Sequence, residues 1–150
     1  MKKGFSLIEL LVVVAIIGVL AGAGIVGYQS YLDGVRTSTA EQQVAQMARA
    51  FSTAYIAEDN GVNSGFDDCD IDSTNTYQNC LGELAGDMNS PFDNGAYVDA
   101  DFVAACAADG NVLVSGVTAT AAIAAGGVTF TLQACEGSTA IGDAETVDVN

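Results

Sequence analysis

The sequence predicts an α+β fold: one long N-terminal helix whose second half packs on a small antiparallel sheet, with loops pinned by disulfides. Three observations predict it. The nineteen residues from Leu10 to Tyr28 carry no charge, and from Leu32 to Tyr55 apolar residues recur mostly three or four apart. Near the C-terminus the period changes to two, with Val128, Phe130, Leu132 and Ala134 alternating with Thr129, Thr131 and Gln133.

The chain has 150 residues, 4 basic and 19 acidic, for a formal charge of −15. Its mean hydropathy is nevertheless +0.34, so apolar and acidic residues must be segregated along it. There is no histidine, which excludes imidazole bases, Ser-His or Cys-His nucleophile pairs and His metal ligands. The basic residues are Lys2, Lys3, Arg36 and Arg49, too few for the cationic footprint that nucleic acid requires, so DNA binding is not expected. Nothing positions two carboxylates around a substrate, and an enzyme is not expected.

The first element follows from the uncharged run. At ~1.5 Å per residue, Leu10 to Tyr28 gives roughly 28 Å of helix, enough to span a bilayer. Lys2 and Lys3 precede it and no basic residue follows until Arg36, so the N-terminus stays cytoplasmic and the bulk of the chain is exported. A removable secretory signal with Ala21-Gly22-Ala23 as the cleavage site is the simple alternative. Against it stand Glu9 at the head of the apolar run, the continuation of the run into Ile25 and Val26, and the absence of turn residues before the next helical segment.

The string KKGFSLIELLVVVAIIGVLA, with Tyr28-Gln29 and Tyr31 beyond it, resembles the class III signal of type IV pilins and of the related pseudopilins. The resemblance covers about the first thirty residues. It implies cleavage between Gly4 and Phe5 by the prepilin peptidase, methylation of the Phe5 amine by the same peptidase/methyltransferase, and assembly of the helix into a filament with Glu9 as an assembly residue. It divides the chain into a leader, 1–4, a transmembrane or filament-core helix half, 5–31, and an exported domain, 32–150, that includes the second helix half. In pilins that this chain resembles, the equivalent of Gly18 to Gly27 unwinds in the filament near a proline. Here Val26 stands in that place, and Gly18 and Gly22 equally fit close helix packing as G-x-x-x-G.

Beyond Tyr31 the apolar positions Leu32, Val35, Val44, Met47, Ala48, Phe51 and Tyr55 define an amphipathic helix, with Arg36, Glu41, Gln42, Gln46 and Arg49 on its other faces. Gly61 ends it near Asp59. One helix of about fifty residues, roughly 80 Å, therefore begins at Phe5. From Asn60 to Gly110 the composition of Gly, Asn, Asp and Ser predicts loop, broken by a short helix from Ala100 to Ala108 capped by Asp99 and stopped by Gly110. Val112, Val114 and Val117, then Val128 to Ala134 and Thr146 to Val149, predict antiparallel strands.

Cys69, Cys80, Cys106 and Cys135 all lie in the exported part, which points to two disulfides. Zinc is disfavoured by their spacing. Of the three connectivities, Cys69 with Cys80 and Cys106 with Cys135 is preferred, because the first closes an acidic loop and the second ties the short helix to a strand. Pilins that pin a C-terminal surface loop with a disulfide offer a parallel for the second pair. Asp67, Asp68, Asp70 and Asp72 place acids at alternate positions, as the start of a calcium loop does, although Ser73 replaces the turn glycine and Asn79 the closing glutamate. A solvated acidic face is the expected reading and a calcium site the alternative. No other cofactor is expected.

The function these features imply is that of a structural subunit of a type IV pilus. The chain would be held in the inner membrane before assembly by an inner-membrane platform, then polymerised as a helical homo-oligomer into a cell-surface fibre for adhesion or motility. The alternative is a pseudopilin of type II secretion, forming a short periplasmic fibre.

Overall fold

The computed structural model describes residue 4 and residues 6–71, 74–92 and 94–149. Helix α1 spans Leu7–Asp59 and α2 spans Tyr77–Leu84. Strands β1 (Phe102–Val103), β2 (Val112–Ser115), β3 (Val128–Glu136) and β4 (Thr139–Val149) form one sheet in the order β1-β2-β3-β4. Single 3-10 turns lie at Asp67–Cys69 and Asp99–Asp101. The chain divides into two units, residues 1–35 and 36–150.

In the first unit every described residue from Ser6 to Tyr31 is exposed. Leu32 is half-buried and Val35 is 43% exposed.

In the second unit the amphipathic stretch buries Val44, Met47, Ala48, Phe51 and Tyr55, together with Ala40 and Ala54. The helix stops where Gly61 adopts φ 71°, a conformation that costs glycine little. The Val62 N–H then reaches the Ala57 carbonyl at 2.9 Å and the Gly61 N–H reaches Glu58 at 2.9 Å, which satisfies carbonyls the helix leaves open.

The aromatic centre of the core joins three elements. Phe51 of α1 meets Phe130 of β3 edge-on at 5.0 Å between ring centroids, and Tyr77 of α2 lies 5.9 Å from Phe51 and 5.5 Å from Phe130. Alternation along the strands delivers Val112 and Val114, Phe130, Leu132 and Ala134, and Val147 and Val149 to the same buried face.

Four features depart from the sequence expectations. The sheet is mixed rather than antiparallel, because β1 pairs parallel with β2 through Phe102–Val112 and Val103–Leu113. No α-helix forms at Ala100 to Ala108, only the 3-10 turn at Asp99–Asp101: pairing with β2 and burial of Phe102, 1% exposed, outweigh the helical propensity of its alanines. Asp99 caps nothing there. Its carboxylate lies over Gly82, where a Cβ would collide with it.

The segment expected to be loop contains α2, started by Thr76, whose hydroxyl accepts the Asn79 N–H at 3.2 Å. Finally, β4 starts at Thr139 rather than Thr146. Its pairing with β3 shifts register between Leu132 and Ala134, and Gly142, at φ 69°, absorbs the extra residues.

Candidate functional site

The apolar segment is built from residues that place nothing polar on the helix surface for several turns. Helix α1 contains a window with mean hydropathy 2.8, and it is long and apolar enough, by length and composition, to cross a membrane. Among the described residues its side chains have nothing to pack on: Leu7 is 80% exposed, Val19 73% and Val26 71%. Each large aliphatic side chain left in water forgoes roughly 1.5–3 kcal/mol, and this surface far exceeds the patches an isolated soluble protein tolerates. It demands lipid or other apolar helices.

Gly18, Gly22, Gly24 and Gly27 lie inside the helix with no atom within 4 Å of where a Cβ would stand. A glycine in a helix costs about 1 kcal/mol against alanine, and the bare backbone at these positions leaves room for a neighbouring helix to approach closely.

Glu9 heads this segment. It occupies the third helical position, and one carboxylate oxygen accepts the backbone N–H of Ser6 at 2.8 Å. The Ser6 carbonyl accepts from Glu9 at 3.1 Å and Leu10 at 3.3 Å. This is half of a capping box, in which the acid satisfies an otherwise open donor at the positive end of the helix. Gly4 is exposed. Phe5, the expected site of cleavage and methylation, lies outside the described residues, as do Asp72 and Ser73.

The cysteines join as Cys69–Cys80, with Cα atoms 4.5 Å apart, and Cys106–Cys135, at 5.6 Å. Cys69, Cys80 and Cys135 are buried and Cys106 is half-buried. The second bridge does not start from a helix. It ties the irregular stretch after β1 to β3.

In the acidic cluster, the N–H groups of Asp67 and Asp68 donate to the Glu83 carboxylate at 3.3 and 2.8 Å. The Asn75 amide donates to the carbonyls of Asp67 at 3.0 Å and Asp70 at 3.3 Å. Glu83 of α2 thus organises the backbone of this loop, a role with no motif to announce it. Among the described residues, no three His, Cys, Asp or Glu side chains gather as a metal site would need.

A family model, the prokaryotic N-terminal methylation motif, matches residues 1–25. The chain carries that motif. It is 43% identical over 56 residues to the type IV major fimbrial protein FimA of Dichelobacter nodosus, which covers 37% of this chain and 36% of that protein. Over 55 residues it is 42% identical to a fimbrial protein of Pseudomonas aeruginosa (37% of this chain, 36% of the relative). It is 40% identical, again over 55 residues, to the type IV major alpha-pilin of Moraxella bovis (37% and 35%).

These matches span only about a third of the curated relatives' length. No solved structure gives a significant match. The N-terminal third of the chain is therefore similar to type IV pilins, and the long apolar helix, small mixed sheet and two disulfides are consistent with the type IV pilin fold.

Proposed function

We propose that this chain is the structural subunit of a type IV pilus, cut between Gly4 and Phe5, methylated on the Phe5 amine and polymerised through α1. The single observation that carries the reading is the exposed apolar first half of α1, headed by Glu9. Before assembly that surface is covered by the inner membrane, and in the fibre it is covered by the same surface of other copies. Residues 1–4 are then the leader, 5–31 the membrane and filament-core segment, and 32–150 the exported part. The prepilin peptidase/methyltransferase and an inner-membrane assembly platform are the partners this route requires. The work of the protein is mechanical and interfacial.

The sheet supports the same division of labour. An open strand edge is a ready template for association, but here one edge strand, β1, has two residues. The other, β4, carries the Gly142 bulge and the acids Asp143, Glu145 and Asp148. Polymerisation by strand addition is blunted at both edges, which leaves the helix. The relatives' printed names, fimbrial protein and pilin, favour a pilus over a secretion pseudopilus.

Shearing cells and examining the released material by electron microscopy tests the reading. Long filaments containing this chain, with an intact mass that begins at methylated Phe5, are expected. A chain that begins at Gly24, just after Ala21-Gly22-Ala23, and stays soluble overturns it.

A further inference from the structure

Asparagine is a labile residue, and most so before glycine, whose nitrogen carries no neighbouring side chain to hinder its approach to the asparagine amide. The sequence holds two such pairs, Asn60-Gly61 and Asn94-Gly95, each preceded by an aspartate. All four residues are exposed, so sequence and solvent alone would make the two sites equivalent. The fold does not.

Asn60 follows the last residue of α1. Its side-chain amide donates to the Ile56 carbonyl at 2.7 Å, and the Gly61 N–H donates to the Glu58 carbonyl at 2.9 Å. Both reacting groups are tied to the last turn of the helix. Asn94 lies in the loop between α2 and β1 and, at φ 59°, is the only non-glycine residue in the left-handed region among the described residues. Asparagine reaches that conformation because its short side chain interacts with the backbone beside it. The Asn94 N–H donates to the Ser90 carbonyl at 2.9 Å, but among the described residues no hydrogen bond holds its side chain.

We propose that Asn94 is a site of self-modification, at which the chain converts its own asparagine into isoaspartate and aspartate. The Gly95 nitrogen attacks the side-chain carbonyl carbon of Asn94, the proton of that nitrogen leaves with the displaced amide as ammonia, and a cyclic imide remains. Water opens the imide at one carbonyl to give aspartate, or at the other to give isoaspartate, whose backbone runs through the side-chain carbon. A water is consumed and an ammonia released, with no cofactor and no change of oxidation state.

The consequence follows from the bonds that close the loop. The Ser90 N–H donates to the Gly95 carbonyl at 2.8 Å, and Ser90 is 3% exposed. Beside it the Asn89 carbonyl accepts the Gln43 side-chain amide at 2.8 Å, and Asn89 bridges to Ala96, which moors the loop on α1. An extra backbone carbon between the Asn94 α-carbon and Gly95 lengthens the segment that the Ser90–Gly95 bond closes. Isoaspartate therefore frees the N–H of a buried residue, and either product adds a negative charge to an already acidic surface. The inference does not depend on the filament reading.

The test incubates the full detergent-solubilised chain at mildly alkaline pH, folded and in denaturant, with peptide mapping at intervals. Conversion at each site is read by mass spectrometry, and isoaspartate by an isoaspartate-specific carboxyl methyltransferase. In denaturant the two sites are expected to convert at comparable rates. In the folded chain Asn94 is expected to convert roughly fivefold faster than Asn60 or more, the factor set by the Asn60 side-chain hydrogen bond that must first break. Hydrogen exchange at Ser90 is expected to accelerate in the isoaspartate form. Equal rates in the folded chain, a faster Asn60, or no isoaspartate at Asn94 over the period in which the denatured chain converts overturns the site. Unchanged exchange at Ser90 in the modified form overturns its effect on the loop.

Discussion

The Tyr55 hydroxyl accepts the backbone N–H of Gly127 at 3.0 Å and donates onward to the Ala124 carbonyl at 2.8 Å. One side chain of α1 thereby fixes both ends of the turn that leads into β3, a contact across 72 residues of sequence. Tyr55→Phe keeps the ring, which stacks 6.1 Å from Phe51, and removes only the hydroxyl. The backbone groups it frees lie on a turn whose residues Ala124 to Gly126 are exposed, so water partly replaces the lost bonds. A loss of about 1 kcal/mol is expected, read by chemical denaturation of the detergent-solubilised chain, with hydrogen exchange accelerated at Gly127. Unchanged exchange there would mean that the turn holds itself.

Tyr77 makes the fold sensitive to alkali. Burial raises its hydroxyl pKa above the usual 10.0; a hydrogen bond with the Ala124 backbone opposes the rise and the neighbouring Tyr55 adds to it. A group with a raised folded pKa contributes stability that is complete below the unfolded value, about 10, and is lost as pH climbs through the folded value. Stability is therefore expected to fall from about pH 10 upward. Tyr77→Phe is expected to flatten that decline in melting temperature measured against pH, at some constant cost from the lost hydroxyl. An equally steep decline in the variant would assign the alkaline sensitivity to another group.

Gly142 is needed on two counts, its φ of 69° and the Glu41 side chain that occupies the space a Cβ would take. Gly142→Ala is expected to cost about 1–3 kcal/mol. Glu41→Ala in the same chain is expected to recover the steric part and leave the backbone part, so the two changes are non-additive. Additive losses in denaturation experiments would show that Glu41 simply swings aside.

What was legible in the sequence follows from the range of the forces involved. The uncharged run, the amphipathic period from Val44 to Tyr55 and the stop at Gly61 are local patterns, and α1 matches them. The alternation in β3 is equally local. The region 60–110 was not legible for the opposite reason. At 100–108 a helical composition yields to long-range pairing of Phe102 with Val112. Tyr77, Cys80, Leu81, Leu84 and Ala85 do have helical spacing and could have revealed α2, but Gln78, Asn79 and Gly82 between them dilute the signal. The first part of β4 hides behind Gly142 and Asp143, which a bulge accommodates and strand propensity does not favour. In the candidate site, Gly4 and Glu9 stand in a contiguous motif.

The Cys106–Cys135 bridge closes a long loop that contains β2 and most of β3. On the chain-entropy model it contributes about 3.5 kcal/mol, against about 3 for the shorter Cys69–Cys80 loop. Replacing both Cys106 and Cys135 by Ser is expected to lower stability by that order and to leave the aromatic centre, which neither cysteine joins, intact by near-ultraviolet circular dichroism. Alkylation of the unfolded, unreduced wild-type chain is expected to find no free thiol. Labelling of any cysteine contradicts the oxidised state.

Glu9 caps its own helix, and the Ser6 hydrogen bond shows how to separate that role from the proposed one in assembly. As a cap it needs only an oxygen that accepts the Ser6 N–H, which glutamine also supplies. In the proposed assembly role it needs charge: the proposed cleavage after Gly4 would create an amine at Phe5 whose unperturbed pKa near ~8 leaves it largely cationic at neutral pH, and a carboxylate opposite it in an apolar surround would attract it by roughly 4 kcal/mol at 4 Å for an effective dielectric of 20. If that amine belongs to a subunit already in the fibre, a misplaced newcomer leaves its carboxylate unpaired in the filament core, a costly arrangement, and the pair sets axial register. Glu9→Gln is therefore expected to insert in the membrane and be processed normally, yet to yield no filaments when it is the only subunit. Glu9→Ala, which also loses the cap, is expected to show the same loss of filaments with added fraying of the first turn. Wild-type filament yield from Glu9→Gln would reduce Glu9 to a cap of its own helix.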